Sequence, residues 1–190
     1  MISLLISKYT NFALTQETKT KLSYPLSLDI VKRHLRIDND FTDDDSYLET
    51  LIVTATEIAE NFIEKDIAKT STVLRIDDFQ GDWVRVNDGN FLSIVSITNS
   101  SDVSVGTLKQ VSKHNDFFQI EWENSIDVDP IKITYLSGYN DDEVPKSIQQ
   151  AILIKCSDLY DNQRADMNWS GLMDNKVFET ILTPFKAIRF

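Results

Sequence analysis

Residues 42–63 read TDDDSYLETLIVTATEIAENFI, and this stretch sets the character of the fold. Its apolar side chains recur at intervals of three and four residues, which places them on one face of a helix. Thr42 is suited to cap that helix, and the aspartates at 43–45 favour a helix N-terminus because they meet the positive end of its dipole. The apolar positions are Leu48, Leu51, Ile52, Ala55, Ile58, Ala59, Phe62 and Ile63. The pattern predicts a long helix that buries one continuous face.

Three further helices are predicted around this one. Ser27 is suited to cap a helix that ends near residues 37–39, with Leu26 packed against Val31 in its first turn. Pro145 suits the first position of another helix, since its missing N–H costs nothing there. A short last helix runs from Lys176 towards Pro184. The apolar stripe predicted after Pro145 consists of Ile148, Ala151, Ile152, Cys156, Leu159 and Tyr160.

Between residues 70 and 136 the apolar period changes from about 3.6 to two, which is typical of β-strands with one buried face. Clusters of Asp, Asn, Ser and Gly separate these segments and predict turns. We therefore predict an α+β fold with a helical core of about four helices and a small antiparallel β-sheet inserted between helix 2 and helix 3. The alternating positions are Leu74 and Ile76, Val84 and Val86, Phe118, Ile120 and Trp122, and Ile131, Ile133 and Tyr135.

The chain is long enough for one domain with an insertion. We expect residues 25–190 to form that single domain. It would consist of helices at 25–66, the β insertion at 70–137, and C-terminal helices and a tail at 143–190. Residues 1–24 begin with a possible strand at 2–6 and continue as a polar run that predicts an extended arm or linker.

Composition narrows the class of protein. The chain has 190 residues, 30 acidic and 19 basic, for a formal net charge of −11, which argues against general binding to nucleic acid. Cys156 is the only cysteine, so an intramolecular disulfide is excluded, and two histidines are too few for the usual zinc sites. The N-terminus lacks the basic start and cleavage site of a signal peptide, and no apolar run is long enough for a membrane span. We expect a soluble protein made in a cytoplasm, with no membrane partner.

Four local patterns invite a chemical interpretation, and each has a simpler one. The carboxylates from Asp38 to Glu49 fit several positions of a calcium loop, but the position that requires glycine is Asp43. Glu121 and Glu123 share one face of a strand without a nucleophile or base nearby, which favours ordinary surface acids. The basic run at 32–36 fits a solvated helix face better than a DNA contact, and Cys156 fits a core position.

The sequence also lacks a glycine-rich phosphate loop, a nucleophile elbow and any metal-ligand spacing. We therefore predict that the protein is not an enzyme, and that it has no catalytic residues, no cofactor and no bound metal.

The C-terminus ends in large apolar side chains, although chain ends ordinarily fray. Such a tip must pack on its own domain or on a neighbour, and the second option indicates assembly. The apolar side chains at this end are Phe185, Ile188 and Phe190.

Three segments together carry a resemblance to a known family. The first is LSLDIVKRHLRID at 26–38, followed by an acidic gap into the helix that ends AENFI at 59–63. The second is ITYLSGY at 133–139 with VPKSIQQAIL at 144–153, and the third is ILTPFK at 181–186. Their order and spacing resemble the head–tail connector family of long-tailed bacteriophages. The resemblance covers nearly all of the chain from residue 25 onward.

This resemblance implies a structural role. Members of the family form a ring of about twelve subunits below the portal, with a heterologous interface between neighbours. The ring extends the DNA channel and docks the next neck or tail component, while packaged DNA passes through without specific binding. The protein would be part of the virion neck after assembly in the host cytoplasm, and the isolated subunit could be a monomer. With this role, we expect the partner interface at Phe185, Ile188, Arg189 and Phe190 to contact the portal or a neighbouring subunit.

Three other functions remain open from the sequence. The nearest is another phage neck protein or a packaging accessory protein. A metal-dependent hydrolase that uses Asp or Glu is a second alternative. The third is a DNA-binding module that uses Lys32, Arg33 and Arg36.

Overall fold

The computed structural model describes residues 15–164 and 176–187. In this part of the chain, four helices and seven strands surround two separate apolar cores, one helical and one between two sheets. The elements are β1 (Thr15–Ser23), α1 (Leu28–Leu35), α2 (Asp45–Ile63), β2 (Lys69–Ile76), β3 (Phe79–Val86), β4 (Phe91–Thr98), β5 (Leu108–Lys113), β6 (Phe118–Val128), β7 (Ile131–Ser137), α3 (Lys146–Arg164), α4 (Lys176–Leu182) and a 3-10 turn (Thr183–Phe185). The predicted α+β class with four helices is confirmed.

Helix α2 is the centre of the helical core, as its apolar period predicts. It packs against α1, α3 and α4. Ala55 and Ala59 are fully buried in the helical core. On α3, the buried members of the predicted stripe are Ile148, Ala151, Ile152 and Cys156. Both helices therefore bury the faces that their sequences mark as apolar.

The helix ends differ from the predicted ones by a few residues. Ser27 has the extended backbone of an N-cap residue, but no hydrogen bond from its side chain caps the helix. Helix α2 begins at Asp45 with Asp44 as its N-cap, two residues after the predicted cap at Thr42. Arg36 and Glu64 adopt left-handed backbone angles (φ 57° and 59°), which end α1 and α2.

The strands form two antiparallel sheets rather than the single sheet predicted. The first has the order β1-β2-β7-β4 and the second the order β3-β6-β5. Their apolar faces meet: Phe118 of the second sheet stacks on Phe91 with ring centroids 4.2 Å apart, and it meets the ring of Tyr135 edge-on at 4.8 Å. The result is a small sandwich with its own core.

Three strands lack the alternation of apolar and polar residues that predicts a strand, and each lacks it for a different reason. In β4, two register shifts against β7 place Phe91, Ile94 and Ile97 on the inner side at a spacing of three. Strand β5 is an edge strand with no buried side chain. Strand β1 is polar, and it also precedes α1, so it lies outside the predicted insertion.

The polar run of residues 15–23, which the sequence predicts to be an extended arm or linker, forms β1 at the edge of the first sheet. It pairs with β2 from Thr15↔Ile76 to Ser23↔Lys69. The register turns Glu17, Lys19 and Lys21 towards the same side of the sheet as Leu74 and its buried neighbours on β2. The strand therefore brings charged side chains to the inner side of the fold.

These charges meet at the boundary between the two cores. Lys19 Nζ lies 2.8 Å from Asp66 Oδ2 and 3.1 Å from Asp88 Oδ2. Lys21 Nζ lies 2.8 Å from Glu60 Oε2 and 3.0 Å from Asp66 Oδ1. We call these five residues the charged joint. It connects β1, the last turn of α2, the segment after α2, and the turn between β3 and β4.

Neutral hydrogen bonds complete the joint. Tyr135 donates its hydroxyl to Asp88 Oδ2 at 2.8 Å, and Ser137 donates to Asp66 Oδ2 at 2.6 Å. Glu60 Oε1 accepts from the backbone N–H groups of Ile67 and Ala68 at 2.8 and 2.9 Å. Each carboxylate therefore has both a cation and a hydrogen-bond donor, which buried charges require to remain in a folded protein.

The pKa values follow from this arrangement. Burial alone would lower the pKa of Lys19, but Asp88 and Asp66 outweigh burial and raise it above its usual range. Burial alone would raise the pKa of Asp66, yet Lys19 and Lys21 together hold it below its usual range. Asp88 is different, because burial together with the nearby Asp66 raises its pKa despite the attraction of Lys19. Lys19 is thus the cation that two adjacent carboxylates share.

The chain reaches α3 through a tight passage at Gly138. This residue has φ +94°, and a Cβ atom there would lie 2.2 Å from the backbone oxygen of Ala68. Its N–H donates to Asn90 O at 2.9 Å, and the N–H of Tyr139 donates to Ile67 O at 3.1 Å. Glycine is therefore required where the sheet passes the segment that leaves α2.

We expect that Lys19→Met lowers the free energy of unfolding by about 2 kcal/mol, since it removes the lysine that pairs with Asp88 and leaves Asp66 with Lys21 alone. The loss is smaller than for a fully buried pair because the Lys19 side chain is 35% exposed. Urea unfolding followed by circular dichroism measures it.

Lys109→Met is the matched control, because Lys109 is 62% exposed and lies 3.4 Å from Glu121. It should change stability by less than about 0.5 kcal/mol. Adding Asp88→Asn to Lys19→Met should recover part of the loss. If Lys19→Met is as stable as the control variant, the joint does not stabilise the fold.

Candidate assembly surfaces

The acidic segment that resembles a calcium loop encloses a lysine. Lys32 is 3% exposed, pairs with Asp45, and donates to the backbone oxygens of Asn39 at 3.3 Å and Phe41 at 2.8 Å. Its ammonium group thus takes the oxygen contacts that a cation would need. Among the residues that the structure describes, no group of three or more His, Cys, Asp or Glu side chains could hold a metal ion.

The basic cluster at 32–36 is divided between the interior and the surface. The prediction of a solvated helix face is wrong for Lys32, because the loop of residues 38–45 folds over it and supplies its partners. Arg33, His34 and Arg36 are exposed. Of the three residues considered for a DNA contact from the sequence, Lys32 is therefore buried and only Arg33 and Arg36 are at the surface.

One of the two glutamates on β6, Glu121, belongs to a surface network. Glu121 accepts hydrogen bonds from the amides of Gln110 at 3.0 Å and Gln119 at 2.9 Å. Glu123 is exposed, and the buried Trp122 lies between the two in sequence. Amide donors of this kind hold a carboxylate in place but provide no nucleophile or base.

Cys156 lies in the helical core, as its position on the α3 stripe predicts. Burial raises the pKa of its thiol to about 12, so the thiolate is scarce near neutral pH. Its Sγ lies 3.8 Å from the backbone oxygen of Leu51. The residue is a small core side chain with a weak donor.

The predicted C-terminal interface is only partly within the described residues. Phe185 lies in the 3-10 turn after α4 and packs, half-buried, against the helical core. The backbone N–H of Ala187 donates to Ile63 O at 2.8 Å, which fixes the chain beside the end of α2. Ile188, Arg189 and Phe190 lie outside the described residues.

A polar groove of about 380 Å³ lies where the end of α2 meets the turns of the two sheets. Lys65 crosses Gly89 so closely that a Cβ there would lie 2.8 Å from its Cδ, and its Nζ pairs with Asp116 Oδ1 at 2.7 Å. The groove is lined by Lys65, Asn90, Lys113, His114 and Asn115. In the sequence, Lys113 and His114 indicate only a polar turn. The groove could not be predicted because Lys65, which also lines it, lies 48 positions before Lys113.

A stack of side chains supports one wall of this groove. The ring of His114 lies on Phe117 with centroids 4.2 Å apart and planes 18° apart. Arg85 places its guanidinium carbon 3.6 Å from the centroid of the same phenyl ring, a cation–π contact. We call the groove, together with Arg85, Asp116 and Phe117, the basic groove, since it has two lysines and an arginine but one carboxylate, Asp116, which pairs with Lys65.

The opposite end of the sandwich is acidic. The register pairs Ile76 with Ile131 and Gln80 with Asp127, so the β2–β3 and β6–β7 turns share that end. Lys132 offsets part of the charge by pairing with Asp102 at 3.0 Å, and Arg75 pairs with Asp77 at 2.8 Å. We call this region the acidic end; its carboxylates are Asp77, Asp78, Asp102, Asp127 and Asp129.

Exposed apolar side chains are scattered over the described surface. Six lie on or beside the strands and two elsewhere, with no more than 58% of any side chain exposed. They are Leu22, Phe41, Val73, Val95, Val103, Leu108, Val111 and Val177. Among the described helices, none is both long and apolar enough to cross a membrane. The charged regions are therefore the more distinctive surfaces of this fold.

The fold is similar to that of chains in the necks of gene transfer agent (GTA) particles. A chain in the neck of an empty GTA particle, computed with C6 symmetry, superposes with a TM-score of 0.72 at 14% identity over 91% of this chain and 97% of that one. A chain in the neck of a native GTA particle, computed with C12 symmetry, gives a TM-score of 0.69 at 12% identity over the same shares. A chain in the virion of a native GTA particle gives 0.69 at 13% identity, over 90% and 96%. At these identities the likeness establishes the fold.

No curated protein matches the chain in sequence. The profile of the family described as phage gp6-like head-tail connector protein matches residues 25–188, which is most of the chain and includes the three segments of the predicted resemblance. The match leaves out β1 and all that precedes it. The chain belongs to the gp6-like family of phage head–tail connector proteins.

Proposed function

We propose that this connector protein works as one subunit of a closed ring of about twelve copies, placed between the portal and the next neck or tail component. The observation that carries the proposal is the family match over residues 25–188. It is supported by the neck chains with the same fold, which come from particles computed with C6 and C12 symmetry.

The structure fits a subunit that holds neighbouring subunits in a fixed arrangement better than it fits an enzyme. Two cores are joined by partly buried ion pairs, so the subunit can act as a stiff block. A closed ring needs two different surfaces on each subunit that fit each other, and a stiff block holds them at a fixed angle. That angle determines how many copies close the ring.

The net charge of −11 fits a channel through which DNA must move. Acidic surface repels the phosphate backbone, and binding that depends on many Lys and Arg contacts is disfavoured. We therefore propose that packaged DNA passes without specific binding. The protein would be part of the neck of the virion, and it would be assembled in the host cytoplasm.

Adding the purified protein to heads that carry a portal but lack this protein tests the role directly. We expect cryo-electron microscopy to show a ring of density at the portal vertex, and the completed heads to accept tails. If the protein binds isolated tail components but leaves the portal bare, it belongs to a neck layer further out.

We further propose that the C-terminal residues Ile188, Arg189 and Phe190 contact the portal or a neighbouring subunit. Phe185, expected from the sequence to share that contact, already packs in part on its own helical core and would orient the residues that follow. The basis is that Ala187 is held beside Ile63, so the apolar end starts from a fixed point.

Removal of residues 188–190 should leave stability almost unchanged and abolish attachment to heads. Removal of residues 185–190 should also cost roughly 1–3 kcal/mol, because the packing of Phe185 and the Ala187–Ile63 hydrogen bond are lost. Thermal unfolding and head completion measure the two effects separately. Normal head completion by the shorter deletion would exclude this contact.

A further inference from the structure

The basic groove and the acidic end lie at opposite ends of the β-sandwich of one subunit. At one end the register pairs Lys113 with Phe118 and Val86 with Phe118. At the other it pairs Phe79 with Val128. Strands of seven or eight residues separate them, which corresponds to roughly 25 Å. The two charged regions therefore point in different directions.

The basic groove holds its walls in fixed positions. Lys65 is held across Gly89, and His114 rests on Phe117, so neither wall depends on a freely moving side chain. All five residues that line it have polar or charged side chains. Lys113 is exposed at the rim, where its charge is available.

We propose that the basic groove of one subunit receives the acidic end of the next subunit in the ring. The charges are complementary, and they lie on different parts of the same chain, as a heterologous ring interface requires. Two ends that carry the same sign could not meet in this head-to-tail manner. This inference rests on the proposed ring.

The carboxylates best placed to enter are on the β2–β3 and β6–β7 turns. Asp78 and Asp127 are exposed, and Asp129 fixes the turn by accepting the backbone N–H of Asp78 at 3.2 Å. Two turns held together in this way present their charges as one unit. Contacts of this kind contribute mainly to the rate and the register of assembly.

Reversal of single charges tests the contact. Lys113→Glu and Asp127→Lys change exposed residues, so both variants should fold normally. Each should bind to portal-bearing heads at least about ten-fold more slowly than the original protein, because it brings like charges together at the interface. The measurement is the number of subunits bound per head against time.

The double variant Lys113→Glu with Asp127→Lys restores opposite charges across the interface, and it should recover most of the rate. Lys109→Glu is the matched control, because it makes the same charge change on the same strand outside the groove. It should bind like the original protein.

Two results would overturn the inference while leaving the connector role intact. One is normal binding of Lys113→Glu to heads, whether or not it loses affinity for duplex DNA. The other is a defect in Lys113→Glu that Asp127→Lys does not relieve. Failure of both the original protein and Lys109→Glu to bind heads would instead contradict the proposed function.

Discussion

The fold depends on a polar strand that brings two lysines to three carboxylates, Glu60, Asp66 and Asp88. Asp66 and Asp88 are less than a tenth exposed, and each would be costly in the interior without a cation. Lys19 and Lys21 reach them because β1 pairs in a register that turns these side chains inward. The same carboxylates hold the last turn of α2 and the sheet, so one interaction determines how the helical core meets the sandwich.

Apolar periodicity predicts the elements that bury a face. Helix α2, helix α3 and strands β2, β3, β6 and β7 follow from it because burial requires side chains at a constant spacing. Strand β4 is not predicted because its bulges change that spacing, and β5 is not predicted because it has no buried side chain. Strand β1 is not predicted because its lysines pair with carboxylates that are distant in sequence, such as Asp88, which lies 69 positions from Lys19.

The candidate surfaces were harder to predict, for a related reason. A basic cluster in the sequence, at residues 32–36, loses Lys32 to the interior, whereas the basic groove gathers Lys65, Arg85 and Lys113 from separate elements. Family membership is shown by the profile match over residues 25–188, which includes the three short segments that carry the resemblance in the sequence. The family is therefore visible in the sequence, but the surfaces that we propose for assembly depend on the register of the strands.

Hydrogen exchange at the backbone amides of Ile67 and Ala68 tests whether the charged joint makes one body of the two cores. Both amides donate to Glu60 between the helical core and the sheet. If the cores unfold together, these amides should exchange as slowly as the most protected amides of α2 and β7. Exchange at a markedly lower free energy would show that the halves separate first, and would contradict the account of a stiff ring subunit.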